Sequence, residues 1–95
     1  MYELIEDIVA RQTELYGSVG RKRTVAALNS FLDAILANHP ADDIQKITHD
    51  LAAMGVTADE RIKLAEFIET LESPDDQDAM RAYIVGFAPA RPINT

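Results

Sequence analysis

The residues best equipped for chemistry are few. Arg21, Lys22 and Arg23 form a run of three cations inside "SVGRKRTVAALN", Ser18 to Asn29, in a chain of 95 residues with a formal net charge of −7. Such a run suits contact with phosphate or with an acidic protein surface, although three charges alone bind nucleic acid weakly and with steep salt dependence. They stand near the start of a helical pattern, the end at which cations are slightly unfavourable, so a loop that is solvated or paired with acidic residues elsewhere in the chain is expected, ahead of contact with an acidic partner or with phosphate. The two histidines, His39 and His49, have Asp42, Asp43 and Asp50 nearby but lack the i, i+4 spacing of a helical metal-binding pair. "DDQD", Asp75 to Asp78, has neither the turn glycine nor the closing glutamate of a calcium loop and suits the acidic first turn of a helix. With no cysteine and no Gly-x-Ser-x-Gly, Walker or dinucleotide pattern, the chain reads as a non-enzyme without metal or cofactor. A bundle of this size also offers little room for a deep pocket.

Two DNA-contact arrangements fail, each on misplaced charge. A helix-turn-helix requires a turn glycine between apolar anchors. With Gly17 in the turn, the second-helix anchor falls on Arg23. With Val25 and Leu28 as anchors, the turn position becomes Val19 and the first-helix anchor Glu14, so both registers put a charge in the core. "LAAMGVTADE", Leu51 to Glu60, resembles the glycine turn of a helix-hairpin-helix phosphate clamp over that short stretch. Thr57 stands where a second glycine belongs, and Asp59 and Glu60 would meet the phosphates with like charge. A capping box, Thr57 with Glu60, is the better reading.

The elements that must carry these residues are helices with short connections. In the first, over 1–16, Met1, Ile5, Ile8, Gln12 and Leu15 recur at alternating steps of four and three, a seam period, with Leu4, Val9 and Tyr16 widening the face. Gly17 and Gly20 bracket a break. The second runs from about Arg21 or Thr24 to Asn38, with Val25, Leu28, Phe31, Leu32, Ile35 and Leu36 as its stripe, and Pro40 ends it. Pro40 also suits the first turn of a third helix bearing Ile44, Ile47, Leu51 and Met54, with Asp42 and Asp43 at its positive end. Gly55 suits a left-handed helix stop, and the capping box then starts a fourth helix with Ile62, Leu64, Ala65, Phe67, Ile68 and Leu71 on a wide apolar face. "SPDD", Ser73 to Asp76, opens a fifth helix carrying Ala79, Met80, Tyr83 and Ile84, which Gly86 closes. Pro40, Thr57 and Pro74 fall at equal intervals, but the apolar positions agree only in part, Ile44 aligning with Arg61, so shared helix-start chemistry explains the spacing better than an internal repeat.

Composition agrees with one compact domain: 47% of residues are hydrophobic and 26% charged, which is ordinary for a globular protein. The expected fold is all-α, a compact bundle of four or five short helices over 1–87 with a flexible, extended C-terminal tail over 88–95. Its core should hold Ile8, Leu28, Leu32, Ile35, Ile47, Leu51, Ile68 and Leu71. The N-terminal "MYELIEDIVARQ" carries acids where a secretory signal carries cations, no apolar run approaches a membrane span, and the lack of cysteine suits a cytoplasmic location. Residues 40–95 hold five cations against eleven anions, whereas residues 1–39 hold four against five. The function expected of such a chain is a small acidic protein-interaction module: an adaptor, assembly factor or regulator that binds a partner protein, with a basic surface, through helical faces. The residues expected to carry it are Arg21, Lys22 and Arg23 together with Asp59, Glu60, Glu66 and Glu69. The alternative is a nucleic-acid-associated regulator, acting by weak contact through the cationic loop or by acidic mimicry that inhibits a nucleic-acid-binding protein. The seam of Leu4, Ile5, Ile8, Gln12 and Leu15 on the first helix is the expected site of any homo-oligomerisation.

Overall fold

The computed structural model describes residues 2–87, and these form four helices: α1 (Tyr2–Leu36), α2 (Ala41–Ala53), α3 (Ala58–Glu69) and α4 (Pro74–Val85). No strand occurs among the described residues. Met1 of the seam and the tail expected over 88–95 lie outside them.

The first of these helices is folded back on itself. Unbroken, a 35-residue helix would be about 52 Å long at about 1.5 Å per residue, whereas the longest dimension of the molecule is 40 Å. The reversal occurs at Gly17, whose φ of 66° and ψ of −150° lie in a region essentially reserved for glycine. Two limbs, 2–16 and 18–36, then run side by side. Gly20 lets them touch: a Cβ there would stand 2.4 Å from the Gln12 carbonyl oxygen and 2.7 Å from the Tyr16 Cβ. Further along, Arg21 Nε donates to Thr13 Oγ1 at 3.0 Å. The far ends of both limbs reach α4, Tyr2 through the ring of Tyr83 and Asp33 through Arg81.

This geometry corrects the expectation of a cationic loop. A single glycine makes the whole turn, so the second limb is helical from Ser18 onward, Gly20 lies inside it, and Arg21, Lys22 and Arg23 occupy its first turns. The limb also stops earlier than Pro40 would require. Asn38 takes φ 52°, and the N–H groups of Asn38 and His39 donate back to the carbonyls of Ile35 and Ala34, a Schellman closure. Pro40 stands just outside as the N-cap of α2.

The remaining boundaries follow local chemistry. α2 ends in a second Schellman closure, with Gly55 at φ 88° and Val56 N–H donating to the Leu51 carbonyl. At the start of α3, Thr57 Oγ1 accepts from Glu60 N–H and Glu60 Oε1 accepts from Thr57 N–H, the reciprocal capping box. α4 begins with Ser73 Oγ accepting from Asp76 N–H at 3.0 Å, and Pro74 occupies its first turn.

α1 is the hub. It packs against α2, α3 and α4, while α2 also meets α3. The core joins Ile5, Ile8 and Val9 of the first limb to Val25, Leu28, Phe31 and Leu32 of the second, with Leu51, Val56, Leu64, Ile68, Met80 and Ile84 closing over them. Of the expected core, Ile8, Leu28, Leu32, Leu51 and Ile68 are buried, while Ile35, Ile47 and Leu71 are half-buried at its edge. The seam on the first limb is turned inward: Ile5, Ile8 and Gln12 are buried and Leu4 is half-buried against the core, leaving only Leu15 exposed. The stripe expected to join two copies therefore packs within one chain, where the cost of bringing partners together is already met by the covalent connection.

Candidate functional site

The exposed chemistry gathers on α3 and in the groove beside it. Asp59 and Glu66 are seven residues apart on one face of the helix, Ile62 and Lys63 lie between them, and Glu69 continues the row by one turn. Asp59, Lys63, Glu66 and Glu69 are all exposed. Ile62, placed by its sequence on the buried face, is 55% exposed instead. The reason is angular: Leu64 and Ile68 are four apart and form the buried seam, and a residue two positions from Leu64 points across the helix. That offset was present in the sequence and could have identified the residue.

Glu60 is different from its acidic neighbours. Its Oε1 accepts both from Thr57 N–H and from Arg11 Nη2, each at 2.9 Å. Burial by itself would push the carboxyl up, but the bonds from the Arg11 guanidinium and the Thr57 N–H outweigh it and hold the group below its usual range. Glu60 thus ties α3 to the first limb of α1 and is engaged within the chain, unlike Asp59, Glu66 and Glu69.

Beside this face, α1, α2 and α3 enclose an open groove of about 530 Å³, floored by Phe31, Ile35, Ile44, Ile62 and Ala65 and bearing Glu69 among its polar groups. Arg61, also in the groove, is held by a bond from Nη1 to the Val56 carbonyl. A second groove, of about 500 Å³, lies between the second limb and α2 and carries Arg23 and Asp50.

The three consecutive cations do not act together. Successive residues on a helix diverge by about 100°, so Arg21, Lys22 and Arg23 spread over more than half its circumference. Arg21 is bonded to Thr13, whereas Lys22 and Arg23 are exposed and make no ion pair among the described residues. Of the two alternatives for this run, Lys22 and Arg23 are solvated, and no ion pair with the acidic portion is formed among the described residues. Ion pairs are made instead by Arg11 with Glu60 and by Arg81 with Asp33 and Asp78.

His39 and His49 are exposed, and no three histidine or acidic side chains among the described residues converge to hold a metal ion. No described helix is long and apolar enough to cross a membrane. No protein-family model matches the chain, and no curated protein and no solved structure matches it either, so its own geometry is the basis for any functional reading.

Proposed function

We propose that the chain is a small acidic protein-interaction module, acting as an adaptor, assembly factor or regulator, that docks an amphipathic basic helix of a partner protein in the groove beside Ile62. The observation that carries this reading is Ile62 itself. It is a large apolar side chain held out of the core and flanked by Asp59 and Glu66 on the exposed face of α3. It also borders an apolar groove suited to the side chains of a helix. Fully burying such a side chain gives roughly 1.5–3 kcal/mol, enough to make it an anchor, while the acids around it favour cations on the partner and speed encounter. The module has no catalytic step in this reading.

A second reading has one observation in its favour: Lys22 and Arg23 are exposed cations without partners among the described residues. They suit weak phosphate contact, but their divergence around the helix limits how many charges one phosphate strand meets.

Capture from native lysate with the wild-type chain, Ile62→Asp, and Lys22→Ala with Arg23→Ala separates these readings. Docking at α3 predicts nuclease-resistant recovery of one basic protein that Ile62→Asp abolishes and the double substitution leaves intact. Recovery lost with nuclease and with the double substitution, but indifferent to Ile62→Asp, overturns it in favour of nucleic-acid contact. Recovery lost with Ile62→Asp alone, when the partner is itself a nucleic-acid-binding protein that the chain inhibits, assigns acidic mimicry to the same face.

A further inference from the structure

The hinge that folds α1 back on itself is one residue long, and helix continues on both sides of it. Gly17 is the one non-helical residue within Tyr2–Leu36. Opening it to helical angles would convert the two limbs into one straight helix and release the first limb from its own body. Everything the limb touches in the closed chain would then be available, unchanged, on a second opened copy: the core around Ile5, Ile8 and Val9, the Met54 carbonyl that Gln12 Nε2 donates to, Glu60 for Arg11, and Tyr83 for Tyr2.

Two features distinguish this hinge from an ordinary turn. The large apolar side chains flanking it are unusually exposed, with Leu15 at 68%, Tyr16 at 61% and Val19 at 63%. The apolar spacing of the first limb also continues across the break: Ile5, Ile8, Gln12, Leu15 and Val19 follow steps of three, four, three and four. In the closed chain that continuity has no use, since Gly17 interrupts it. On a straightened helix Leu15 and Val19 fall on one face, a turn apart, with Tyr16 beside them. This is the seam geometry through which two crossing helices pack.

We propose that two copies of this chain exchange residues 2–16 by straightening at Gly17. Each copy's first limb docks on the other's body, and Leu15, Tyr16 and Val19 of both copies meet where the two continuous helices cross. The exchange is a domain swap, which keeps the closed-chain contacts and adds only the crossing. It is independent of the docking surface on α3, which lies on the body in either form.

Gly17 supplies the test, because a Cβ there would meet nothing within 4 Å in the closed chain. Gly17→Ala therefore meets no other part of the fold and acts only through strain in the local backbone, disfavouring the turn and favouring helix. Each of the two hinges in a dimer should contribute about a tenfold change or more, so the dimer dissociation constant should fall by at least roughly two orders of magnitude. Sedimentation from low to high micromolar concentration should show wild-type chain passing from monomer toward dimer, and Gly17→Ala dimeric throughout. Leu15→Ser with Val19→Ser should return the wild-type sequence to monomer without lowering its melting temperature.

Exchange is distinguished from simple association by Arg11→Cys with Glu60→Cys in the Gly17→Ala background, bridged by a short bis-maleimide. The chain has no other cysteine, so exchange gives a covalent dimer on a denaturing gel. Gly17→Ala chain that remains monomeric at every concentration, or a bridge formed only within single chains, overturns the proposal.

Discussion

Gly20→Ala pits two effects of opposite sign against each other, and the structure decides between them. Gly20 lies within a helix, so on propensity alone the substitution should stabilise the chain by about 1 kcal/mol. Against this, the added Cβ would stand 2.4 Å from the Gln12 carbonyl oxygen and 2.7 Å from the Tyr16 Cβ. Neither is the free end of a side chain that can rotate away. The Gln12 carbonyl belongs to helical backbone, and Gln12 is itself fixed because its side chain donates to the Met54 carbonyl. The limbs must therefore separate by about 1 Å, a gap that forfeits about half of the dispersion well for each atom pair facing it. Overpacking of this kind costs about 1–3 kcal/mol, and rigid backbone on both sides places Gly20 at the upper end. After subtracting the propensity gain, a net loss of about 1–2 kcal/mol remains. For a domain of this size that corresponds to a melting temperature lower by about 5–15 °C. Urea titration followed by circular dichroism, at one low protein concentration, gives the free energy directly. A Gly20→Ala chain as stable as wild type or more so would show that the limbs do not approach as described.

Other perturbations test separate parts of the structure. Glu60→Gln keeps an acceptor for Thr57 N–H but removes the charge facing Arg11, and should cost about 0.5–1 kcal/mol at neutral pH. Because the Glu60 carboxyl titrates below its ordinary value near 4.5, its stabilisation is present above that value and is lost as pH falls through the lower folded value. The wild-type and Glu60→Gln stability curves should therefore converge as pH falls from 4.5 through the lower folded value. Leu51→Ala empties a fully buried position at the α2 closure and should cost about 2–5 kcal/mol in urea unfolding. Ile62→Asp, on the exposed face of α3 between Asp59 and Glu66, should cost no more than about 1 kcal/mol, from like-charge repulsion and lower helix propensity. A larger loss would mean that Ile62 belongs to the core and that the α3 docking face is misassigned.

Much of the helix pattern was legible from neighbouring residues. Thr57 with Glu60, Ser73 with Pro74, and Gly55 mark helix ends through bonds that span only a few residues, and these chemistries act wherever the chain lies. The stripe of Leu28 and Leu32 likewise announced a buried face. The candidate site was less legible. Asp59, Glu66 and Glu69 are exposed as acids on a helix are expected to be, but the engagement of Glu60 depends on Arg11, which lies 49 residues away in the chain. Ile62 could be separated from the buried face only by measuring its angle from Leu64 and Ile68.

What the sequence determined by itself is the set of helices and most of their ends, because propensity, capping and amphipathic period are properties of a few adjacent residues. Which faces meet was decided only by the tertiary structure. The seam of Ile5, Ile8 and Gln12 is equally suited to a second chain or to its own second limb, since apolar burial is non-directional. In the closed chain, Gly17 and the close approach of Gly20 to Gln12 place it against the second limb. The same reversal turns three consecutive cations from a loop into side chains spread around a helix, because a single glycine, rather than the four-residue stretch from Gly17 to Gly20, makes the turn.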